Sequence, residues 1–96
     1  MTELAYRKLE DEEIAQALEP LTGWSRQGDE IVRTFEFKTY KDGVVFGVAV
    51  SYLADALDHH PELHIGYQKI TVRISTHSVG GLSPYDFELA RKINAL

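Results

Sequence analysis

The sequence predicts an α+β domain in the order α-β-β-α-β-β-α, with a four-stranded antiparallel sheet and the helices packed on one of its faces. Two observations lie behind this. Apolar residues recur at spacings of three and four near both ends of the chain, whereas short alternating runs lie on either side of residues 44–57. Turn-forming Gly and Asp, together with Pro61, cut those runs into pieces of strand length. The 96 residues suffice for a single domain, 1–96, and not for two. A core of that size is thin, so self-association would be a natural supplement.

The elements follow in order. From Asp11 to Leu21, the residues Ile14, Ala17, Leu18 and Leu21 mark a first helix that should end near Pro20 to Gly23. The acidic run Glu10-Asp11-Glu12-Glu13 reads as its solvated start, where carboxylates meet the positive end of the helix dipole. Trp24–Gln27 and Ile31–Phe37 read as strands around the turn residues Gly28-Asp29. The stretch from Val44 to Leu57 can be read two ways. Lys41-Asp42-Gly43 suits a hairpin turn ahead of a β-branched strand. Yet Val45, Ala49, Tyr52, Leu53 and Ala56 hold helical spacing, and Leu53-Ala54-Asp55-Ala56-Leu57 forms helix readily. A strand of that length would also be unusual, so the local balance favours helix.

Pro61 then pushes His60 toward extended backbone, which ends the helix near Asp58. Leu63, Ile65 and Tyr67 alternate, as do Ile70, Val72 and Ile74, with Gln68-Lys69 between them. They form a second antiparallel pair. The last helix starts at Ser83-Pro84-Tyr85-Asp86. Ser83 can cap, Pro84 suits the first helical position, and Asp86 falls three residues after the cap. Leu89, Ala90 and Ile93 should be its buried face.

Composition excludes several classes of function. Without cysteine there is no disulfide, thiolate zinc site or cysteine nucleophile. A net charge of −5 and the absence of a basic face argue against direct nucleic-acid binding. The start, Met1-Thr2-Glu3-Leu4-Ala5-Tyr6-Arg7, lacks the basic opening and apolar run of a secretion signal. The longest apolar stretch, Val44 to Val50, is too short to cross a bilayer. A cytoplasmic protein without membrane contact is expected.

All four histidines lie between positions 59 and 77. Asp58-His59-His60-Pro61 places two imidazoles where a helix stops, and His77 follows the final strand. A hairpin returns the chain to its starting end, so His77 can come back to the His59-His60 corner if the register allows. Imidazole is the side chain best matched to proton transfer near neutral pH. A helix C-terminus and a carboxylate such as Asp55 or Asp58 favour its cationic form. Such a mixture supplies one group that can give a proton and another that can accept one. A zinc set of His60, His64 and His77 is the weaker reading, because Pro61 interrupts the helix that would align residues four apart. No metal is therefore expected. On residues alone, Asp86 is a helix-start carboxylate.

His59-His60-Pro61-Glu62, Tyr67-Gln68-Lys69-Ile70, Ser75-Thr76-His77, Gly80-Gly81-Leu82-Ser83, Asp86 and Leu89-Ala90 together resemble the pterin-4a-carbinolamine dehydratases in order and spacing. Upstream, Gly23-Trp24 and the series Phe35, Phe37, Tyr40, Gly43 and Phe46 are similar to the family's weaker pattern. The resemblance implies that residues 44–57 are helix. It also implies dehydration of the 4a-hydroxytetrahydropterin released by aromatic amino-acid hydroxylases, with no redox cofactor. The family's active-site histidines fall on His59, His60 and His77, and its helix-start aspartate on Asp86. His60 and His77 would be the acid–base pair, with His59, Asp55 and Asp86 setting orientation and charge. Where the family commonly has Glu four residues before His59, this chain has Asp55, and where many members have Trp it has Leu63. Both departures bear on how the pterin is held and how His59 is oriented.

The resemblance also implies a homodimer or homotetramer built on helix and edge-strand contacts. The helical wheel of residues 44–57 agrees: Val44, Val48 and Ser51 extend its small or apolar surface beyond the side formed by Val45, Ala49, Tyr52, Leu53 and Ala56. The rival roles are a non-enzymatic one, as in animal relatives that serve as dimerisation cofactor of a homeodomain factor, and action on another pterin.

Overall fold

A computed structural model of the chain describes residues 4–96. Met1–Glu3, part of the stretch read as lacking a secretion signal, lie outside the described residues. The elements are α1 (Asp11–Leu18), β1 (Ser25–Gln27), β2 (Glu30–Glu36), α2 (Tyr40–Leu57), β3 (Glu62–Ile65), β4 (Lys69–Ile74), a 3₁₀ turn (His77–Val79) and α3 (Pro84–Asn94). The four strands form an antiparallel sheet in the order β1-β2-β4-β3. The two sequence-adjacent hairpins are therefore joined through β2 and β4, which share the longest pairing, Ile31↔Ile74 to Glu36↔Lys69.

Side chains alternate across a strand, so Ile31 and Phe35 point with Val72, Ile70 and Ile74 to one face. That face is covered. Ile31, Ile70, Val72 and Ile74 are fully buried beside Val50, Leu89 and Ile93 from the helices and Leu82 from the segment before α3. Burying such a side chain contributes about 1.5–3 kcal/mol each, the main favourable term for the fold. Thr34 and Glu36, one residue out of phase, are exposed. Among the described residues no helix is long and apolar enough to cross a membrane.

Several element ends differ from the sequence reading, for local reasons. The first helix stops at Leu18, because Pro20 supplies no backbone N–H and Leu21 closes a turn onto Leu18 instead. Trp24 and Phe37 lie just outside their strands, and β3 is Glu62–Ile65, which leaves Tyr67 in the turn. Lys41-Asp42-Gly43 is no hairpin turn. It is the first turn of α2, where Thr39 Oγ1 accepts a hydrogen bond from the Asp42 N–H at 3.0 Å.

The inward side of α2 is Gly43, Gly47, Val50 and Ala54, spaced four, three and four apart. These small residues let the helix settle close to the sheet: a Cβ on Gly47 would lie 3.1 Å from Ile70 Cδ1. Val45, Val48 and Tyr52 are left outside, at 60%, 52% and 74% exposure.

Candidate active site

The site is built where three chain segments meet. The first is the C-terminus of α2. Asp58 there takes the left-handed conformation (φ 54°, ψ 44°), which Asp tolerates better than most residues. Its N–H turns back to Ala54 and Asp55, and the His59 N–H reaches the Ala54 carbonyl at 3.0 Å, a closure that satisfies the helix's last carbonyls. This reversal sends His59 inward and leaves His60 outside, with Pro61 leading into β3. The second segment is the end of β4. The pairing Glu62↔Arg73, carried past the strand ends, sets His59 across from Thr76. Thr76 in turn bridges to Gly81 through a 2.8 Å bond from its N–H. The turn between them carries His77, exposed, and closes on Gly80 at φ 67°. The third segment is the start of α3, where Ser83 and Asp86 form a capping box.

These segments are tied by one buried polar network. His59 Nε2 lies 2.6 Å from Asp86 Oδ1, and the pair is 7% and 0% exposed. Asp86 Oδ2 accepts from Thr76 Oγ1 at 2.7 Å and from the Ser83 N–H at 2.8 Å. Thr76 Oγ1 is also 2.8 Å from Ser83 Oγ and 3.4 Å from His59 Nε2. Asp86 thus meets three partners, one on Oδ1 and two on Oδ2, out of the roughly four that a carboxylate can accept. Among the described residues no buried side-chain N or O lacks a partner. Asp86 is thus both the helix-start carboxylate that its position suggested and the partner of His59.

His60 has its own carboxylate, and the geometry reassigns it. Asp55, expected to bear on His59, instead lies with Oδ1 2.9 Å from His60 Nε2. This pair is in water, 57% and 78% exposed. The two neighbouring imidazoles are therefore each engaged through Nε2 by an aspartate, one buried and one exposed. His77 follows Thr76 in the chain, and its side chain is exposed. His64, on β3 opposite Thr71, lies apart from these pairs. Among the described residues no three His, Cys, Asp or Glu are grouped to hold a metal ion.

Two tyrosines that sequence reasoning did not single out complete the surroundings of His59. The rings of Tyr6 and Tyr85 stack at 4.1 Å between centroids and 14° between planes. Both are tilted against the His59 ring, at 6.2 Å and 5.6 Å. The Tyr6 phenol is held above its ordinary pKa, first by partial desolvation and then by Tyr85, Asp58 and Asp86. Tyr85 falls within the recognisable helix start, but no periodicity or motif points to Tyr6.

Comparison with known proteins places the chain. Residues 7–96 match the family described as pterin 4 alpha carbinolamine dehydratase. A protein of Natronomonas pharaonis named "Putative pterin-4-alpha-carbinolamine dehydratase" is 47% identical over 89 residues, covering 93% of this chain and 95% of its own. One of the same name from Roseiflexus sp. (strain RS-1) is 43% identical, over 93% of this chain and 96% of its own. The crystal structure of a transcriptional coactivator/pterin dehydratase from Brucella melitensis superposes with a TM-score of 0.88 at 35% identity, covering 93% of this chain and 97% of that one. A pterin dehydratase-like protein described as a RuBisCO assembly factor in the alpha-carboxysome shares the fold, with a TM-score of 0.60 at 16% identity over 75% of this chain and 83% of that one. Matched over nearly its whole length, the chain belongs to the pterin-4-alpha-carbinolamine dehydratase family.

Proposed function

We propose that the protein dehydrates 4a-hydroxytetrahydrobiopterin, the pterin-4a-carbinolamine, to quinonoid dihydropterin, as a cytoplasmic step in tetrahydrobiopterin recycling. The observation that supports this best is the adjacent pair of imidazoles, each with a carboxylate on Nε2. Such a partner keeps a proton on Nε2 and leaves Nδ1 to exchange protons with a ligand. His60 and His77 are both exposed and act as the acid–base pair. The C4a–O bond breaks with help from the N5 lone pair. The departing hydroxyl takes a proton from one imidazolium and leaves as water, while the N5 proton passes to the other imidazole. Net charge is conserved, and exchange with solvent resets both rings, which their exposure favours. His59, Asp55 and Asp86 orient the set, and Asp58 and Pro61 shape the corner that presents it. The substrate would be supplied by an aromatic amino-acid hydroxylase.

The test is a stopped-flow assay of carbinolamine loss against the spontaneous rate. Clear acceleration that survives prolonged chelation supports the proposal. A rate equal to the background rejects it, and activity lost on chelation and restored by zinc overturns the metal-free mechanism.

The exposed Val45, Val48 and Tyr52 face of α2 favours one addition to this reading, a homodimer or homotetramer assembled through that helix. A non-enzymatic binding role would use the same face and would leave variants of His60 and His77 fully competent. Parallel activity and association measurements on those variants separate the two readings.

A further inference from the structure

We propose that Tyr6 is a positioning residue for His59, acting as an aromatic cover that the N-terminal segment lays over the buried His59–Asp86 pair. The inference rests on the dehydratase reading only where it concerns turnover. A hydrogen bond to Asp86 fixes where Nε2 points, but it leaves the imidazole plane free to rock about that bond. Rings packed against the imidazole remove that freedom. Tyr85 alone covers part of it, and Tyr6, stacked on Tyr85 and tilted against His59, extends the cover.

The segment carrying Tyr6 is anchored at successive residues. Arg7 makes bonds of 2.8 and 3.3 Å to the Glu13 carboxylate of α1. The Leu9 N–H donates to the Leu82 carbonyl at 2.8 Å, and the Leu9 side chain is buried in the core. The Lys8 stem lies against Gly81, where an added Cβ would come within 3.1 Å of Lys8 Cε. The strap therefore runs along the Gly81–Ser83 stretch that shapes the dyad. Tyr6 itself is 52% exposed, more than core packing alone would leave it, yet His59 beneath is 7% exposed. A half-exposed ring with this placement contributes little to the core and much to the shielding of one side chain. The neutral phenol, its pKa raised above the ordinary value, puts no anion beside Asp58 and Asp86.

The test follows the His59 Nε2-bound proton by proton–nitrogen NMR, together with the steady-state constants, in Tyr6→Ala, Tyr6→Leu and Tyr6→Phe. Exchange of that proton with water should quicken by about tenfold or more in the Ala and Leu variants and stay native-like in the Phe variant, which keeps the stack. In the dehydratase assay kcat should fall for Ala and Leu with little change in KM, and Phe should restore it. If the Ala variant does not fold, the Leu variant decides. Unchanged exchange in Ala or Leu, or a Phe variant as impaired as Leu, overturns the proposal. The exchange measurement needs no turnover, so failure of the dehydratase reading would leave this arm intact and be seen separately.

Discussion

His59 and His60 are neighbours in sequence, and each holds an aspartate through Nε2, yet their surroundings could hardly differ more. The His59–Asp86 pair is shut inside a network with Thr76 and Ser83, under two tyrosine rings. The His60–Asp55 pair stands in water with more than half of each side chain exposed. The same chemical contact therefore does two jobs. In the interior it fastens α2, β4 and α3 together, because every polar atom there must find a partner. At the surface it contributes at most about 1 kcal/mol to stability and leaves the ring open to water.

The largest effect should come from breaking the interior pair. Asp86→Ala would leave the His59 Nε2–H and the Ser83 N–H without their acceptor and the Thr76 hydroxyl with Ser83 Oγ alone. At about 1–3 kcal/mol for each buried donor left unsatisfied, the loss should be at least about 2 kcal/mol in urea unfolding. Asp55→Ala should change stability by no more than about 0.5 kcal/mol. Equal losses in the two variants would show that burial does not divide the dyads as described.

Next comes turnover. His60→Ala and His77→Ala should each lower the dehydration rate by about two to four orders of magnitude while unfolding at nearly the native urea concentration. Near-normal turnover in both, against the uncatalysed background, would remove them from the acid–base role. Asp55→Asn sharpens the contrast. It keeps the shape of the carboxylate but weakens a charge-assisted bond to His60, so the rate should drop by about tenfold with stability unchanged. An unaffected rate would mean that His60 needs no aiming.

Much of this was legible in the residues, and what was not has physical reasons. The element order follows from periodicity, and the Ser83-Pro84-Tyr85-Asp86 helix start reads directly because capping is local chemistry. Pairing of aspartates with histidines is not local. Asp55 lies four residues before His59, which suggested that ring, but the left-handed turn at Asp58 rotates His59 away and brings His60 over Asp55. One backbone angle reverses the assignment. The inward face of α2 was hidden for another reason. A hydrophobic wheel gives weight to Val45 and Tyr52, whereas close approach to Ile70 selects Gly43 and Gly47, which carry no hydrophobic signal. Tyr6 reaches His59 across more than fifty residues of sequence, and no pattern in one chain encodes such a meeting.

The smallest effect on both dyads should come from Val48→Lys, and that is its value as a test. Val48 lies on the outer face of α2, 52% exposed, while the dyads sit at and beyond the helix's far end. In a lone protomer the new charge would be solvated, so unfolding stability should stay within about 0.5 kcal/mol and the far-ultraviolet spectrum should not change. In an assembly packed on this face, the ammonium would lose its water without gaining a partner, which costs far more than the contact can spare. Val45 and Tyr52 share the face, so the lost area is apolar and the direction of the effect is fixed. Sedimentation at micromolar concentration should therefore show an oligomer for the unmodified protein and a smaller species for Val48→Lys. The exchange of the His59 Nε2 proton should be the same in both. A monomer before substitution would refute assembly through α2. A change at His59 on dissociation would mean that the buried dyad depends on the neighbouring protomer, and the division between an interior and a surface pair would have to be redrawn around the assembly.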